Sequence, residues 1–415
     1  MRRAVFPTVL VAAGLVGIPT AAQASDGWGF PEANHSGKFV PCGDEQALVD
    51  AVTNANMGGA NTIRLAPFCT YTITSAHGTG PNGADGLPVI TGGLTITGDK
   101  STITRSSTAP AFRILEVGAA GNLTLIGTSI SGGNARGALP DDPAGDGGGI
   151  LNDGGTLTLQ DSEVTHNTAT NTGGFGADGG GIANEGGTLT LQDSEIADNT
   201  AADNVDDDGG GVSNNSGGTV ALQNSKIVGN TAGGDGGGID NKGIATFVDS
   251  IVADNRTNFD DGGGINNGGT VTLRDSKIVH NVAARDGGGI NNGENAQFES
   301  FDSIISGNTT TGSVPGSTGR GGGINNEGAA TFKDSKIIFN KAAGPGGGIY
   351  NENTAPETPA TVTLEGSEVV FNKAADGGGI FKEPGSGPVT LTDSAVKFNT
   401  PNNCAPPGSV PGCSG

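Results

Sequence analysis

The sequence predicts an all-β fold, a parallel β-helix (solenoid) with three short strands per coil, and three observations carry that prediction. The spacing Ser-x-x-x-x-Asn is written ten times, from Ser129/Asn134 to Ser394/Asn399, with successive Ser residues 25 to 33 apart. The motif Gly-Gly-Gly-Ile/Val is written nine times, ending at Ile150, Ile182, Val212, Ile239, Ile265, Ile290, Ile324, Ile349 and Ile380. Between these motifs apolar and polar residues alternate, the period of two that belongs to strands. A repeat of this length governs the fold, because each unit buries its apolar face only against its neighbours.

The strands follow in a fixed order: around Gly-Gly-Gly-Ile, then Thr-Leu-Thr-Leu, then Ser-x-Ile. In "TLTLQDSEV" (156–164), Leu157, Leu159 and Val164 point one way while Thr156 and Thr158 point the other. Equivalent strands of successive coils stack about 4.8 Å apart, so identical side chains form columns. Asn167, Asn199, Asn230, Asn255, Asn281, Asn308, Asn340, Asn372 and Asn399 are expected to form one hydrogen-bonded ladder. Asn152, Asn184, Asn214, Asn241, Asn267, Asn292, Asn326 and Asn351 form a second, which Lys382 ends. Gly at the corner admits positive φ and close backbone approach. Columns of Ile and Leu fill the core, at about 1.5–3 kcal/mol for each fully buried side chain.

Both ends need covering. "DEQALVDAVTNANMGG" (44–59) puts Ala47, Leu48, Ala51, Val52 and Ala55 on one face, with Gly58 and Gly59 as a stop. It is expected to be an amphipathic helix capping a first coil that begins with "NTIRLAPFCTYTIT" (61–74). The four Cys fall two to each terminal region, and of three connectivities the local one, Cys42–Cys69 with Cys404–Cys413, is expected to pin the caps.

The N-terminal 24 residues read as a secretory signal peptide: Arg2 and Arg3, an apolar stretch over 4–18, and Ala22-Gln23-Ala24 as the cleavage site. No later segment is apolar enough to span a bilayer. The expected organisation is signal peptide 1–24, N-terminal segment and capping helix 25–60, one β-helix domain 61–400, and a disulfide-closed tail 401–415. Export favours disulfides over a metal site for the cysteines. The product is expected to be secreted or loosely associated with the cell surface, and monomeric. With 21 basic against 43 acidic residues, a net charge of −22 disfavours nucleic-acid and anionic-membrane partners for the chain as a whole. Cations and basic partners suit it better, and the charge also serves solubility.

On these motifs the chain resembles the right-handed parallel β-helix superfamily, which includes pectate lyases (pectin-lyase-like proteins), pectin-degrading hydrolases and many bacterial surface proteins. Gly-Gly-Gly-Ile with Ile/Val-x-x-Asn is similar to the Gly-Gly-Ala-Ile and Phe-x-x-Asn repeats of polymorphic membrane proteins, over about residues 120 to 400. Ile or Val stands where that repeat has Phe, and no C-terminal autotransporter barrel is expected. The resemblance implies a fold strongly and an activity weakly. The Gly-His-Gly and Arg-x-Lys motifs of the hydrolases do not occur, nor does the lyases' Arg–Pro cluster, so no catalytic residue is assigned.

The Gly runs are not phosphate cradles, since no Gly-Lys-Ser/Thr follows them. The nearest stretch, "GLTITGDKS" (93–101), has Asp99 before Lys100 and reads as strand, turn, strand. The more informative feature is a shelf of long loops, 135–146, 168–178, 200–208 and 309–320, leaving one corner. It carries Asp203 and the candidate ligand-binding residues Asp141, Asp142, Asp146, Asp178, Asp206, Asp207 and Asp208. Asp208, Asp235, Asp261 and Asp286 continue the column before the Gly runs and are the candidate ligands for calcium, the one cofactor this chemistry suits. No cofactor is required. The other reading of these carboxylates is solvated loops, partly neutralised by Arg256, Arg285 and Arg320.

Three further features carry less. His166 and His280 share a surface column. Phe339, Phe371 and Phe398 take the position before the ladder Asn, where the Pro-rich tail 401–412 is expected to fold back over them. Outward Thr pairs resemble ice-binding solenoids but are interrupted. The functional expectation is a secreted, non-enzymatic β-helix presenting loops for adhesion or carbohydrate binding, with an extracellular polysaccharide or a host or cell-surface protein as partner. The rival is a polysaccharide lyase or glycoside hydrolase acting on acidic polysaccharides, and ice binding is a minor alternative.

Overall fold

The computed structural model describes residues 37–138, 143–172, 176–202, 204–353 and 359–414. The signal region, Asp141, Asp142 and Asp203 lie outside them. The chain winds as a right-handed-type parallel β-solenoid of about ten turns. Among the described residues every strand belongs to one of three parallel sheets, of 23, 11 and 7 strands, or to the hairpin of Gly78–Gly80 with Gly83–Asp85. No described helix is long and apolar enough to cross a membrane.

One coil shows the path. Ile150–Asp153 lies in the eleven-stranded sheet and pairs with Ile182–Glu185 of the next coil, Ile150 opposite Ile182 and Asn152 opposite Asn184. Thr156–Gln160 and Glu163–Thr165 follow as two strands of the largest sheet, separated by a bend at Asp161. That bend recurs at Asp193, Asn224, Asp249, Asp275, Asp302, Asp334 and Asp393 with φ of 48–51°. Asp and Asn enter the left-handed region more easily than other residues with side chains, which explains the choice. After the ladder Asn comes an element the sequence reading did not separate: a strand of two to four residues, such as Thr168–Asn171, in the seven-stranded sheet.

The inward columns are dry. Leu157, Leu189, Val220, Ala245, Val271 and Phe298 stack in register, and all lie within 1% exposure. In the outward column beside them, Ile244, Gln297 and Ala329 interrupt the threonines. Both Asn ladders form. Nδ2 of each of Asn167, Asn199, Asn230, Asn255, Asn281, Asn308 and Asn340 donates to Oδ1 of the next rung at 3.0 Å, and Asn372 donates to Asn399 at 3.1 Å. In the second ladder the rungs from Asn152 to Asn351 are 2.6 to 2.9 Å apart. Past the break at Lys382, Asn351 donates to Ser386 Oγ instead, at 3.2 Å. A third ladder runs through the serines, with Ser162 N donating to Ser194 Oγ at 3.1 Å and Ser194 N to Ser225 Oγ at 3.1 Å.

The ladders explain the glycine triplet. Gly262 turns the chain at φ +65°, and a Cβ on Gly263 would meet Gly289's neighbour Gly288 O at 2.5 Å. A Cβ on Gly264 would lie 2.8 Å from Asn281 Nδ2. The third glycine therefore makes room for the amide ladder, and any larger residue would displace it.

The ends are closed as expected, with additions. The helix Glu45–Asn56 is capped by Asp44, whose Oδ1 accepts from Ala47 N at 2.9 Å, and it buries Leu48, Val49, Ala51 and Val52. A strand at Lys38–Val40, unforeseen, pairs with Thr62–Leu65 ahead of it. Cys42 bonds to Cys69, and Cys404 to Cys413. Cys404–Ala405 adds a last strand beside Ile380, so the eleven-stranded sheet continues past residue 400. The tail does not cover the Phe column, contrary to expectation: Phe339, Phe371 and Phe398 are 60%, 50% and 64% exposed. The disulfide loop packs Val410 onto the core end instead.

Candidate functional site

The residue before each glycine triplet stands at the margin of the eleven-stranded sheet, and in seven coils it is Asp: six in succession from Asp146 to Asp286, and Asp376 apart from them. The six successive aspartates form a ladder of their own. Asp178 N donates to Asp146 Oδ1 at 3.0 Å, Asp208 N to Asp178 at 3.2 Å, and Asp235 N to Asp208 at 2.8 Å. Asp261 N donates to Asp235 at 2.9 Å and Asp286 N to Asp261 at 2.8 Å. Arg320 N ends the series on Asp286 Oδ1 at 2.6 Å. One oxygen of each carboxylate thus ties two coils, and the other is turned to side chains or solvent. Sequence reasoning found the column but missed the ladder, which needs an Asp-to-amide reach that only the shared corner geometry provides.

Stacked carboxylates repel, and partial burial sharpens the effect. Burial, then the neighbouring carboxylates, pushes Asp178 and Asp235 well above the ordinary range. The same causes raise Asp208 and Asp261 to about 7. Three cations answer the charge. Lys242 Nζ lies 3.0 Å from Asp240 and 3.6 Å from Asp208. Arg285 reaches Asp260 at 2.7 Å and Asp261 at 4.0 Å, and Arg320 bridges Asp286 at 3.0 Å and Glu352 at 2.7 Å. Arg285 and Arg320 neutralise the row as expected, but Arg256 does not: its Nε donates to Asn258 at 3.3 Å. Lys242, just past the strand Ile239–Asn241, takes that part.

Beside the row, the outward residues of the sheet form a strip of amides. Asn266 Nδ2 donates to Asp240 at 2.8 Å and to Asp235 at 3.2 Å. Asn291 donates to Asn266, and Asn325 to Asn291, each at 2.9 Å. The strip ends on Tyr350 and Phe381, stacked 5.3 Å apart, with Arg320 5.0 Å from the Tyr350 ring. Burial, then the Glu352 charge, lifts Glu327 on the opposite margin to about 7.

The remaining candidates separate. Asp206 is exposed on its loop. Asp207 is fully buried and accepts from Ala177 N at 3.0 Å and Asn204 N at 2.8 Å, so it fastens two loops together. Of the proposed calcium ligands, Asp235 and Asp261 come together with Asp260, all three offering oxygens within 4.8 Å of one another, while Asp208 and Asp286 stand outside that group. The guanidinium of Arg285 already occupies one side of it. His166 and His280 sit at left-handed corners of the surface.

A second charged cluster went unread. In "AFRILEV" (111–117) Arg113 and Glu116 are flanked by apolar residues, and both turn out to be buried. Arg113 Nη1 lies 3.4 Å from Asp85 and 3.2 Å from Glu116, while Nη2 donates to Asn82 O and Pro143 O at 2.7 Å each. Asn82 Nδ2 joins Glu116 to Asp153 at 3.1 and 3.0 Å. Burial raises Asp85 to about 7 despite Arg113. The cluster locks the Gly78–Asp85 hairpin onto the first coils.

No family model and no curated protein matches the chain. Among solved structures it is similar to the mannuronan C-5 epimerase AlgE6 A-module of Azotobacter vinelandii, at 14% identity and a TM-score of 0.49, covering 88% of this chain and 96% of that one.

Proposed function

We propose that the protein is an extracellular, non-enzymatic solenoid that binds an extended neutral or amino-sugar glycan along the aspartate row. One observation carries this reading: four carboxylates, Asp178, Asp208, Asp235 and Asp261, are held in line by the backbone of successive coils. A row of acceptors repeating at about 4.8 Å suits a ligand that itself repeats and offers hydroxyl or ammonium donors. The amide strip beside it, largely buried and hydrogen-bonded along its length, holds the row in place. The excess of acid over base disfavours a polyuronate at this face. Adhesion to a glycan-coated surface follows from the same contacts.

A second reading, cleavage of the glycan, is favoured by the values near 7 at Asp208 and Asp261, which suit a general acid at neutral pH. One experiment separates the two. Soluble neutral, amino-sugar and uronic-acid polysaccharides are titrated against the wild type and against Asp208→Asn/Asp235→Asn/Asp261→Asn, whose amides keep the acceptor for the next coil. The expected result is binding of a neutral or amino glycan, weakened at least about ten-fold in the variant, a loss of ~1.4 kcal/mol. Retention of none of them overturns the reading. New reducing or unsaturated ends that vanish in the variant establish the rival.

A further inference from the structure

The corner before the ladder Asn holds His166, Asp198, Gly229, Asp254, His280 and Gly307 in successive coils, then Phe339, Phe371 and Phe398 in the last three. The three Phe have φ of 57°, 59° and 61°. For a bulky residue that is an outlier and carries strain. Stacking of the rings offsets part of it. The rings lie 5.3 and 5.4 Å apart and within 9° and 12° of parallel.

At that separation near-parallel rings cover one another's faces, so the column presents edges outward. A sugar stacks on a ring face; an apolar medium accepts an edge equally well. Ile338, half-buried one residue before Phe339, widens the apolar base, while Val370 before Phe371 is buried. Lys336, Lys341, Lys373 and Lys397 flank the column, all exposed and none ion-paired among the described residues. Lys341 and Lys373 are in register across one coil step, and Lys397 Nζ lies 5.8 Å from the Phe398 ring. Glu368 is the acid nearest in register, opposite Lys336. On a chain of net charge −22 this is a local reversal of sign.

We propose that this corner is a ridge that docks the protein on a bilayer with anionic headgroups. The ring edges enter the headgroup–acyl boundary, and the lysine stems lie along the apolar base with their ammonium groups on the phosphates. The whole-chain charge does not oppose this at contact, because it is screened beyond about 8 Å at physiological salt.

The test is co-sedimentation of the full chain with vesicles of phosphatidylcholine alone and of phosphatidylcholine with phosphatidylglycerol. The variant Phe339→Asp/Phe371→Asp/Phe398→Asp should fold, since Asp198 and Asp254 occupy the same corner at φ 53° and 55°. Expected is pelleting with the anionic vesicles only, lost in that variant. Lys336→Gln/Lys341→Gln/Lys373→Gln/Lys397→Gln should weaken it about ten-fold, as should raised salt. Failure of the wild type to pellet, or equal pelleting of a variant that melts like the wild type, overturns the proposal. Retention by a soluble polyuronate without vesicle binding also overturns it, and assigns the ridge to an acidic glycan.

Discussion

Asn255 shows how one side chain serves three coils. Its Nδ2 donates to Ile227 O and to Asn281 Oδ1, while its Oδ1 accepts from both N and Nδ2 of Asn230. Asn255→Ala leaves those groups buried and unpaired, at about 1–3 kcal/mol for each orphaned group. Expected is a loss of several kcal/mol in denaturant unfolding with hydrogen exchange accelerated around residues 228–231 and 279–281; exchange unchanged there would contradict the ladder. This much was legible in the sequence, because an amide ladder needs the same residue in each coil and the repeats display it. The aspartate ladder was not, since an Asp column reads equally well as solvated charge. Arg113 was illegible for the opposite reason: it occurs once, and its partners Asp85, Asn82 and Pro143 come from segments about 30 residues away.

At the scale of elements, the ends and the loop corners decide stability. Arg113→Met leaves Asp85 and Glu116 buried without their cation and should cost about 3–5 kcal/mol. The deficit should shrink in acid, where the raised Asp85 carboxyl takes up a proton. A variant as stable as the wild type at neutral pH would show that the hairpin is held by other contacts. Near the middle of the row, Arg285 sits where a cation would otherwise be drawn by Asp235, Asp260 and Asp261. A chelator should therefore leave the wild-type Tm unchanged, whereas Arg285→Gln should gain stability on addition of calcium. A fall in wild-type Tm with chelator would mean that an ion, not Arg285, holds these carboxylates together. The helix and both disulfides were predictable from spacing and face. The short strand after the ladder Asn was not, since two residues are too few to show a period.

For the molecule as a whole, the buried carboxylates set the pH dependence. Asp85, Asp208, Asp261 and Glu327 lie near 7 when folded, above their ordinary values. Between about pH 4 and pH 7 the folded chain therefore binds more protons than the unfolded one. Their contribution to stability is complete below the unfolded value and is lost as pH rises through about 7. Tm should be higher near pH 5 than near pH 8, and a flat or opposite trend would contradict the burial of these carboxylates. The fold was legible because the solenoid repeats its rules from coil to coil. The proposed binding face was only half legible, because loop lengths reveal which corner is elaborated but not which side chains neutralise each other there. Hydrogen exchange of the full chain, with and without a neutral or amino-sugar oligosaccharide, tests the central claim most directly. Protection confined to the amides around Asp178, Asp208, Asp235, Asp261 and Asp286, with the oligosaccharide recovered intact, is the predicted result. Protection on another face, or a ligand recovered in shorter or unsaturated form, would contradict it.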